Sequence, residues 1–295
     1  MAVRIAIANH KGGVAKSTTA MMLAEGLALR NGARVLAIDL DPQASLSTML
    51  LSRQGADAAA ARGRSLSHLL ELLASQRSVL MSHLLTSKAS DLIELRDVGD
   101  ARRVDLIASD RQLLMNLTRL ETRLKALFDQ RLDVALAKAL DTDLARLDKS
   151  YDVIVFDCAA GTGPLSLAAV RLSNVVISPT VLDAVSLNAL QDFIRIIIDQ
   201  DVQLSERVDH YVLPTLFDGR DPAQAQRLDQ IRSGTIRLRS LPRAIRETVN
   251  IRKASERLKP VAYRTTREKY GGALGDVYGL ADDVAAIIWK PEPRA

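Results

Sequence analysis

Cysteine is almost absent from this sequence of 295 residues, in which Cys158 is the only one. A single cysteine excludes a disulfide framework, and it excludes a metal cluster bound by several thiolates of one chain. No apolar run approaches the roughly 18 residues that a membrane-spanning helix needs. Because the first residues predict a strand rather than a signal peptide, we expect a cytoplasmic protein.

Hydrophobic residues make up 47% of the chain, which excludes an intrinsically disordered protein. The length is sufficient for a substantial core, and we expect a single α/β domain over 1–295, although two small domains would also fit. Within it we expect a mobile or helical insertion around 54–103 and a basic C-terminal portion at 232–269.

The stretch 9–18 reads Asn-His-Lys-Gly-Gly-Val-Ala-Lys-Ser-Thr. It follows an apolar run that predicts a buried strand, and it precedes apolar residues at helical spacing. A strand, a glycine-containing loop and a helix are typical of a phosphate-binding loop, in which backbone N–H groups and the helix dipole face the anion. We expect the nucleotide-binding residues to be Lys11, Gly12, Gly13, Val14, Ala15, Lys16, Ser17 and Thr18. Lys16 supplies the positive charge, and the Ser17 hydroxyl binds Mg²⁺.

Two further apolar runs end in aspartates. Residues 34–40 bring Asp39 and Asp41 to the carboxyl end of a strand, and residues 151–157 end with Asp157. Ligands bind at this edge of open parallel sheets. An apolar strand that ends in aspartate beside a phosphate-binding loop is the Walker B arrangement, so we expect Ser17 and Asp157 to form the metal site. For Asp39 and Asp41 the alternative is a strand end with two solvated acids.

The repeated alternation of strands and helices predicts an α/β fold with a mostly parallel sheet covered by helices on both faces. Further strands are expected at 92–95, 104–108, 175–179 and 208–214. Helices are expected at 66–85, 112–128, 132–147, 183–199 and 280–289. Residues 54–64 lack periodicity and are interpreted as a loop, and residues 243–258 are interpreted as a basic helix.

The loop does not meet the ordinary pattern G-x-x-x-x-G-K-[ST], because His10 and Ala15 occupy its glycine positions. It resembles the deviant Walker A motif, K-G-G-x-x-K-[ST], of the ParA/MinD family of ATPases. The segments that begin at Asp39 and Cys158 resemble the two switch regions of that family. The resemblance implies a P-loop ATPase that hydrolyses ATP slowly, is stimulated by a partner protein, and uses ATP and Mg²⁺ as cofactors.

The resemblance also implies roles for single residues. Lys11 reaches the nucleotide of the partner subunit in an ATP-dependent homodimer, and Asp41 positions the attacking water. Pro214 and Thr215 match, more loosely, the family segment that lies near the adenine base. Together these assignments make Lys11, Lys16 and Asp41 the candidate catalytic residues.

Positive charge is concentrated near the C-terminus. Residues 232–269 contain twelve lysines and arginines against three glutamates, whereas the whole chain has a net charge of +5. No aromatic residue lies between Arg232 and Lys259, so we expect contacts to the phosphates of duplex DNA rather than base stacking. The expected DNA contacts are Arg237, Arg239, Arg243, Arg246, Arg252 and Lys253, with Arg257 and Lys259 in the same cluster. The alternative is a solvated basic face.

These features together predict a ParA-type ATPase that binds DNA without sequence specificity and partitions or positions a plasmid, a chromosome or another cargo. Its expected partner is a ParB-like centromere-binding protein or a cargo adaptor, and its expected location is the nucleoid within the cytoplasm. The chain begins directly at the first strand, as in family members without an N-terminal helix-turn-helix. One alternative is a MinD-like membrane-associated ATPase, which Asp282 and Asp283 in the last helix disfavour, so no stable membrane association is expected. The other is a small-molecule ligase of the same fold, which has no use for Lys11.

Overall fold

The computed structural model describes residues 1–75, 80–97, 101–127, 131–199, 202–256 and 262–289. Its strands are β1 (Val3–Ile7), β2 (Arg34–Asp39), β3 (Arg103–Ile107), β4 (Val153–Asp157), β5 (Val175–Thr180) and β6 (Asp209–Pro214). Its helices are α1 (Lys16–Arg30), α2 (Ser45–Ala61), α3 (Leu66–Ala74), α4 (Ile93–Arg96), α5 (Leu113–Leu127), α6 (Leu132–Leu147), α7 (Pro164–Leu172), α8 (Ala184–Phe193), α9 (Val202–Arg207), α10 (Pro222–Arg232), α11 (Val249–Ser255), α12 (Thr266–Tyr270) and α13 (Leu274–Ile288). A π-helical segment, Ile194–Asp199, continues α8.

The strands form one six-stranded parallel sheet in the order β3-β2-β4-β1-β5-β6. From β1 the chain runs to β2 and β3 on one side, returns to place β4 between β2 and β1, and then continues to β5 and β6 on the other side, so β1 lies between β4 and β5. In sheets of this kind, ligands bind beyond the carboxyl ends of the strands where the order reverses. The prediction of a parallel sheet covered on both faces is confirmed.

Each face of the sheet has its own core. In β1, Ile5 and Ile7 belong to the core that also contains residues of α1, α11 and α13, whereas Ala6 belongs to the core built by α5, α6 and α7. A strand that is buried on both faces must be apolar at successive positions. This requirement explains why the strands are visible in the sequence as continuous apolar runs.

Helix α1 packs closely against α13. A Cβ atom added to Gly26 would lie 3.0 Å from the Ala281 Cβ and 3.0 Å from the Val277 carbonyl oxygen, so only glycine allows this approach. Helix α1 ends at Arg30, because Gly32 adopts a φ of 70°, a conformation that stops the helix. None of the helices in the described ranges is long and apolar enough to cross a bilayer.

Two local predictions are wrong. Residues 54–61 form the second part of α2, after a kink at Ser52 where φ is 68°, instead of a loop, because this alanine-rich stretch favours helix and buries Ala56 and Ala59. Residues 93–96 form the short helix α4 rather than a strand, and Leu92 alone pairs with Tyr263.

The predicted basic helix at 243–258 is also wrong in its first part. Only Val249–Ser255 is helical, and Thr248 caps it by accepting the Ile251 N–H at 3.2 Å. The residues before it run along β6, where Ile245 N donates to the Pro214 carbonyl at 2.8 Å. Pairing with the open edge of the sheet therefore competes successfully with helix formation. Arg257, Leu258 and Lys259 lie outside the described residues. Of the helix predicted at 66–85, only Leu66–Ala74 is α-helical, and a short 3-10 helix, Met81–Leu84, follows later. The remaining predicted helices and strands are present with shifted ends, and the last helix begins already at Leu274.

Candidate functional site

The loop between β1 and α1 is held in shape by hydrogen bonds to its own backbone and to β5. The Asn9 side chain donates to the Pro179 carbonyl at 2.7 Å and accepts the Lys11 N–H at 3.0 Å. Gly13 and Ala15 have positive φ values of 73° and 65°, a conformation that costs an alanine roughly 1 kcal/mol. The first N–H groups of α1 have no partner within the helix, so they are available to an anion, as at other helix N-termini.

Lys16 begins α1, and its side chain returns over the loop. Its Nζ donates to the Lys11 carbonyl oxygen at 2.9 Å, and the residue is only 7% exposed. Burial lowers the pKa of Lys16, while the carboxylates of Asp157 and Asp41 act in the opposite direction. The loop thus contains a buried ammonium group. A phosphate can bind this group by replacing the Lys11 carbonyl oxygen as its hydrogen-bond acceptor.

Asp39 and Asp157 are paired across β2 and β4, and both are fully buried. Asp39 accepts hydrogen bonds from the N–H and the hydroxyl of Ser47 at 2.8 and 2.7 Å. Burial raises the pKa of Asp39 to about 6, although the bonds from Ser47 oppose the rise. Asp39 therefore ties α2 to the sheet, a role that the sequence pattern did not indicate.

Neither carboxylate oxygen of Asp157 has a hydrogen-bond partner among the described residues. Burial raises the pKa of Asp157 well above its ordinary range, and Asp39 adds to the rise, while Ser17 and Lys16 oppose it. A buried carboxylate without a partner is costly unless a cation neutralises it. A hydroxyl and a carboxylate supply the hard oxygen ligands that Mg²⁺ prefers. Ser17 and Asp157 therefore fit a magnesium ion.

Asp41 lies just beyond the end of β2. It is half-buried and near the carboxylates of Asp39 and Asp157. Its Oδ1 accepts the Gln43 N–H at 2.8 Å, and its carbonyl oxygen accepts the Ser109 hydroxyl at 2.7 Å. These bonds fix the segment after β2 to the end of β3. The structure thus brings Asp41, Asp157 and Lys16 to one side of the loop.

Lys11 is placed differently from Lys16. Its Nζ donates to the Ser186 hydroxyl at 2.6 Å and lies 3.4 Å from Asp183 Oδ2. Both partners belong to the first turn of α8, where Asp183 is the N-cap. Lys11 therefore contacts α8 of its own subunit, a contact that the sequence did not predict.

A pocket of about 220 Å³ lies beside the loop. Ala15, Thr18 and Thr215 line one side of it, and the Thr215 hydroxyl donates to the Val14 carbonyl at 3.0 Å. Pro214, the last residue of β6, immediately precedes Thr215. The opposite wall consists of residues that the sequence did not associate with a nucleotide: Ile245, Arg246, Glu247, Thr248, Ile251, Arg252, Ser255 and Glu256. Its size and position suit the nucleoside part of a nucleotide bound at the loop.

Most of the predicted DNA contacts have carboxylate partners. The ion pairs are Arg239–Asp209 at 2.6 Å, Arg243–Asp283 at 3.8 Å, Arg246–Asp276 at 3.3 Å and Arg252–Glu247 at 2.6 Å. Arg237 and Lys253 are exposed. Three of the four acids lie outside 232–269, so a count within that window overstates the positive charge of the surface. Arg246 and Arg252 also line the pocket beside the loop, which the sequence did not indicate.

Solved structures share this fold. Cyanothece McdA without nucleotide superposes with a TM-score of 0.70 at 18% identity, covering 96% of this chain and 100% of McdA. Cobyrinic acid a,c-diamide synthase of Mycobacterium smegmatis, bound to an ATP analogue and magnesium, has a TM-score of 0.65 at 23% identity, covering 99% of this chain and 97% of the synthase. The fold is that of a P-loop ATPase.

Sequence comparison identifies the family. The AAA_31 model, described as an AAA domain, matches residues 2–209. The sporulation initiation inhibitor protein Soj of Bacillus subtilis is 28% identical over 284 residues, covering 96% of this chain and 98% of Soj. The chromosome partitioning protein ParA of Caulobacter vibrioides is 27% identical over 230 residues, covering 78% and 75%. The chain spans about half the length of two rhizobial relatives named as replication proteins, 54% and 51% respectively. The chain belongs to the ParA/Soj/MinD family of ATPases.

Proposed function

We propose that this chain is a ParA-type partition ATPase that forms a homodimer on ATP, binds duplex DNA without sequence specificity, and moves a cargo through a ParB-like or other adaptor protein. Family membership supports this proposal. The observation that carries it is the convergence of Lys16, Asp41 and Asp157 on the loop after β1, where the Asp157 carboxylate has no hydrogen-bond partner among the described residues.

In the proposed reaction, the amides of 12–18 and the Lys16 ammonium bind the phosphates. A magnesium ion held by Ser17 and Asp157 would neutralise charge that develops on the phosphates. Asp41 accepts a hydrogen bond from the attacking water and aligns it with the terminal phosphorus. Lys11 adds positive charge at the nucleotide of the partner subunit, where charge increases in the transition state.

We assign DNA contact to exposed cations of the basic C-terminal portion, 232–269. Arg237 and Lys253 are exposed, and Arg267 is exposed on the neighbouring helix α12. We infer that these three cations make the first phosphate contacts, because exposed side chains need not leave a buried partner. Arg239 and Arg252 sit in accessible ion pairs, which are weak enough for a phosphate to replace the carboxylate. Dimerisation doubles the number of contacts, so ATP strengthens binding through avidity.

The test combines two variants that separate binding from hydrolysis. Asp41→Ala should bind ATP with magnesium and accumulate as a dimer without releasing phosphate. Lys16→Ala should lose ATP binding and remain a monomer, because the polyanion loses its buried cation. Sedimentation velocity measures the dimer, and a phosphate-release assay measures turnover with and without DNA. A monomeric Asp41→Ala protein at saturating ATP, or wild-type ATP affinity in Lys16→Ala, would contradict the proposal.

A small-molecule ligase is the second candidate, because the Mycobacterium smegmatis synthase has the same fold. A ligase would consume ATP only in the presence of a carboxylic acid substrate, and its turnover would not respond to DNA. The phosphate-release assay therefore distinguishes the two functions. Wild-type turnover that DNA does not change and that Lys11→Ala leaves intact would favour the ligase.

A further inference from the structure

Asp183 and Ser186, in the first turn of α8, bind the side chain of Lys11. We call these two residues the Lys11 clamp. The lysine Nζ donates to Ser186 Oγ at 2.6 Å, and Ser186 Oγ donates to Asp183 Oδ2 at 2.5 Å. Asp183 Oδ2 also lies 3.4 Å from the Nζ. Partial burial acts to raise the pKa of Asp183, but the hydrogen bonds from Ser186 and the charge of Lys11 lower it. The three side chains therefore form one charged, hydrogen-bonded group.

The clamp lies at the carboxyl edge of the sheet, beside the loop from which Lys11 would reach the proposed partner subunit. The loop follows β1 and α8 follows β5, and these strands are neighbours in the sheet. The side chains of Lys11 and Asp183 are 35% and 44% exposed, and Val185 between the clamp residues is 69% exposed. Accessible ion pairs contribute little to stability. A nucleotide phosphate from a second subunit can therefore displace the clamp.

We propose that Asp183 and Ser186 hold Lys11 in a resting position, and that each subunit must release this contact before the dimer forms. The inference rests on the proposed function, because it requires Lys11 to reach the nucleotide of the partner. The clamp uses two of the three N–H donors of the Lys11 ammonium group, so a partner phosphate that binds this group through more than one N–H must displace at least one clamp residue. The clamp therefore raises the protein concentration at which ATP-bound monomers associate, and it keeps the free protein from hydrolysing ATP as a dimer.

The expected effect follows from symmetry. A two-fold symmetric dimer opens two clamps. An exposed contact of this kind is worth up to about 5-fold in an equilibrium constant, so loss of both clamps lowers the dimer dissociation constant by up to about 25-fold.

Two substitutions remove the clamp without removing the cap of α8. Ser186→Ala deletes the hydroxyl but keeps the backbone N–H of residue 186, which Asp183 Oδ1 accepts at 2.7 Å in this structure. Asp183→Asn removes the charge, and asparagine caps helices as well as aspartate does. The matched control is Asp221→Asn, because Asp221 caps α10 in the same way by accepting the Ala223 N–H at 2.9 Å.

The first experiment needs neither ATP nor a dimer. The acylation rate of the Lys11 amine is measured by mass spectrometry in the nucleotide-free protein, with the exposed Lys149 as the internal reference. We expect Lys11 to react about 5-fold faster in Ser186→Ala and Asp183→Asn, and at the wild-type rate in Asp221→Asn. Equal Lys11 rates in all four proteins would overturn the inference.

The second experiment measures the dimer dissociation constant by sedimentation equilibrium with a non-hydrolysable ATP analogue and magnesium. We expect tighter dimers for both clamp variants, by up to about 25-fold, and no effect of Ser186→Ala in a Lys11→Ala background. Clamp variants that dimerise like the wild type overturn the inference and leave the proposed function standing. A wild-type protein that stays monomeric overturns the proposed function, and the regulatory inference with it, whatever the acylation rates.

Discussion

The Lys269 Nζ lies 2.8 Å from Glu25 Oε1, and neither side chain is exposed to solvent. Glu25 belongs to α1, the helix that begins at the phosphate-binding loop, whereas Lys269 belongs to α12. Asp91 adds a third buried charge 2.7 Å from the same Nζ, and the Tyr270 hydroxyl donates to Glu25 Oε2 at 2.6 Å. The network therefore fastens the C-terminal segment to the helix that positions Lys16.

Removal of the buried lysine should destabilise the protein strongly. Lys269→Ala leaves the carboxylates of Glu25 and Asp91 buried without their cation, so we expect a loss of about 3–5 kcal/mol in the free energy of unfolding. Arg30→Ala is the control, because it breaks an exposed ion pair between α1 and Asp282 of α13 and should cost less than about 1 kcal/mol. Urea unfolding measures both. Equal losses would show that the buried network does not stabilise the link between α1 and α12.

Asp157→Asn should separate stability from magnesium binding. The buried carboxylate has no hydrogen-bond partner among the described residues, so a neutral amide should raise the unfolding free energy of the nucleotide-free protein by about 1–3 kcal/mol. The same change removes an anionic ligand of the proposed metal site, so magnesium should no longer strengthen ATP binding. Melting temperatures with ATP in EDTA and in magnesium measure both effects. A variant that is less stable than the wild type without nucleotide, or that keeps the magnesium effect, would argue against this metal site.

The salt dependence of DNA binding should identify the contact surface. Arg237→Ala and Lys253→Ala each remove an exposed cation that does not line the pocket beside the loop. In the ATP-bound dimer, each change should reduce the slope of log K against log salt by about 2, one unit per subunit. Arg146→Ala on α6 is the control, because α6 packs on the opposite face of the sheet from α11. Equal slopes for all three variants would move the DNA surface elsewhere.

The stability of the protein should depend on the protonation of His210. Burial lowers the pKa of His210 to about 4, with the charge of Arg239 adding to the effect. The unfolded chain binds this proton near pH 6.5. The stabilising contribution of the neutral imidazole is therefore complete above about pH 6.5 and is lost as the pH falls toward about 4.

His210→Gln should flatten this part of the pH profile. Between about pH 7.5 and about pH 5, the wild type should lose about 2 kcal/mol more unfolding free energy than the variant. Urea unfolding at the two pH values measures the difference, and His83→Gln, which changes an exposed histidine, is the control. A pH dependence in His210→Gln equal to that of the wild type would contradict the lowered pKa of His210.

The amino-acid sequence by itself determined the six strands of the parallel sheet and the position of the loop, but it also predicted a strand at 92–95 where the structure has α4. These features depend on contiguous residues: an apolar run buried on both faces forms a strand, and the residues after its carboxyl end must lie at one edge of a parallel sheet. Asp157 ends β4, Asp41 follows the end of β2, and Lys16 follows the loop after β1. The three side chains are therefore close together in the structure.

Only the tertiary structure decided the partners of the charged side chains. Ser186 is 175 residues from Lys11 and Glu25 is 244 residues from Lys269, so no local spacing contains these contacts. The same holds for Arg239, Arg243 and Arg246, whose carboxylate partners lie outside the basic stretch of the sequence. A side chain finds an oppositely charged partner wherever the packed backbone places one within reach. The net charge of a sequence window therefore describes only its composition, whereas the number of unpaired charges on the surface depends on the fold.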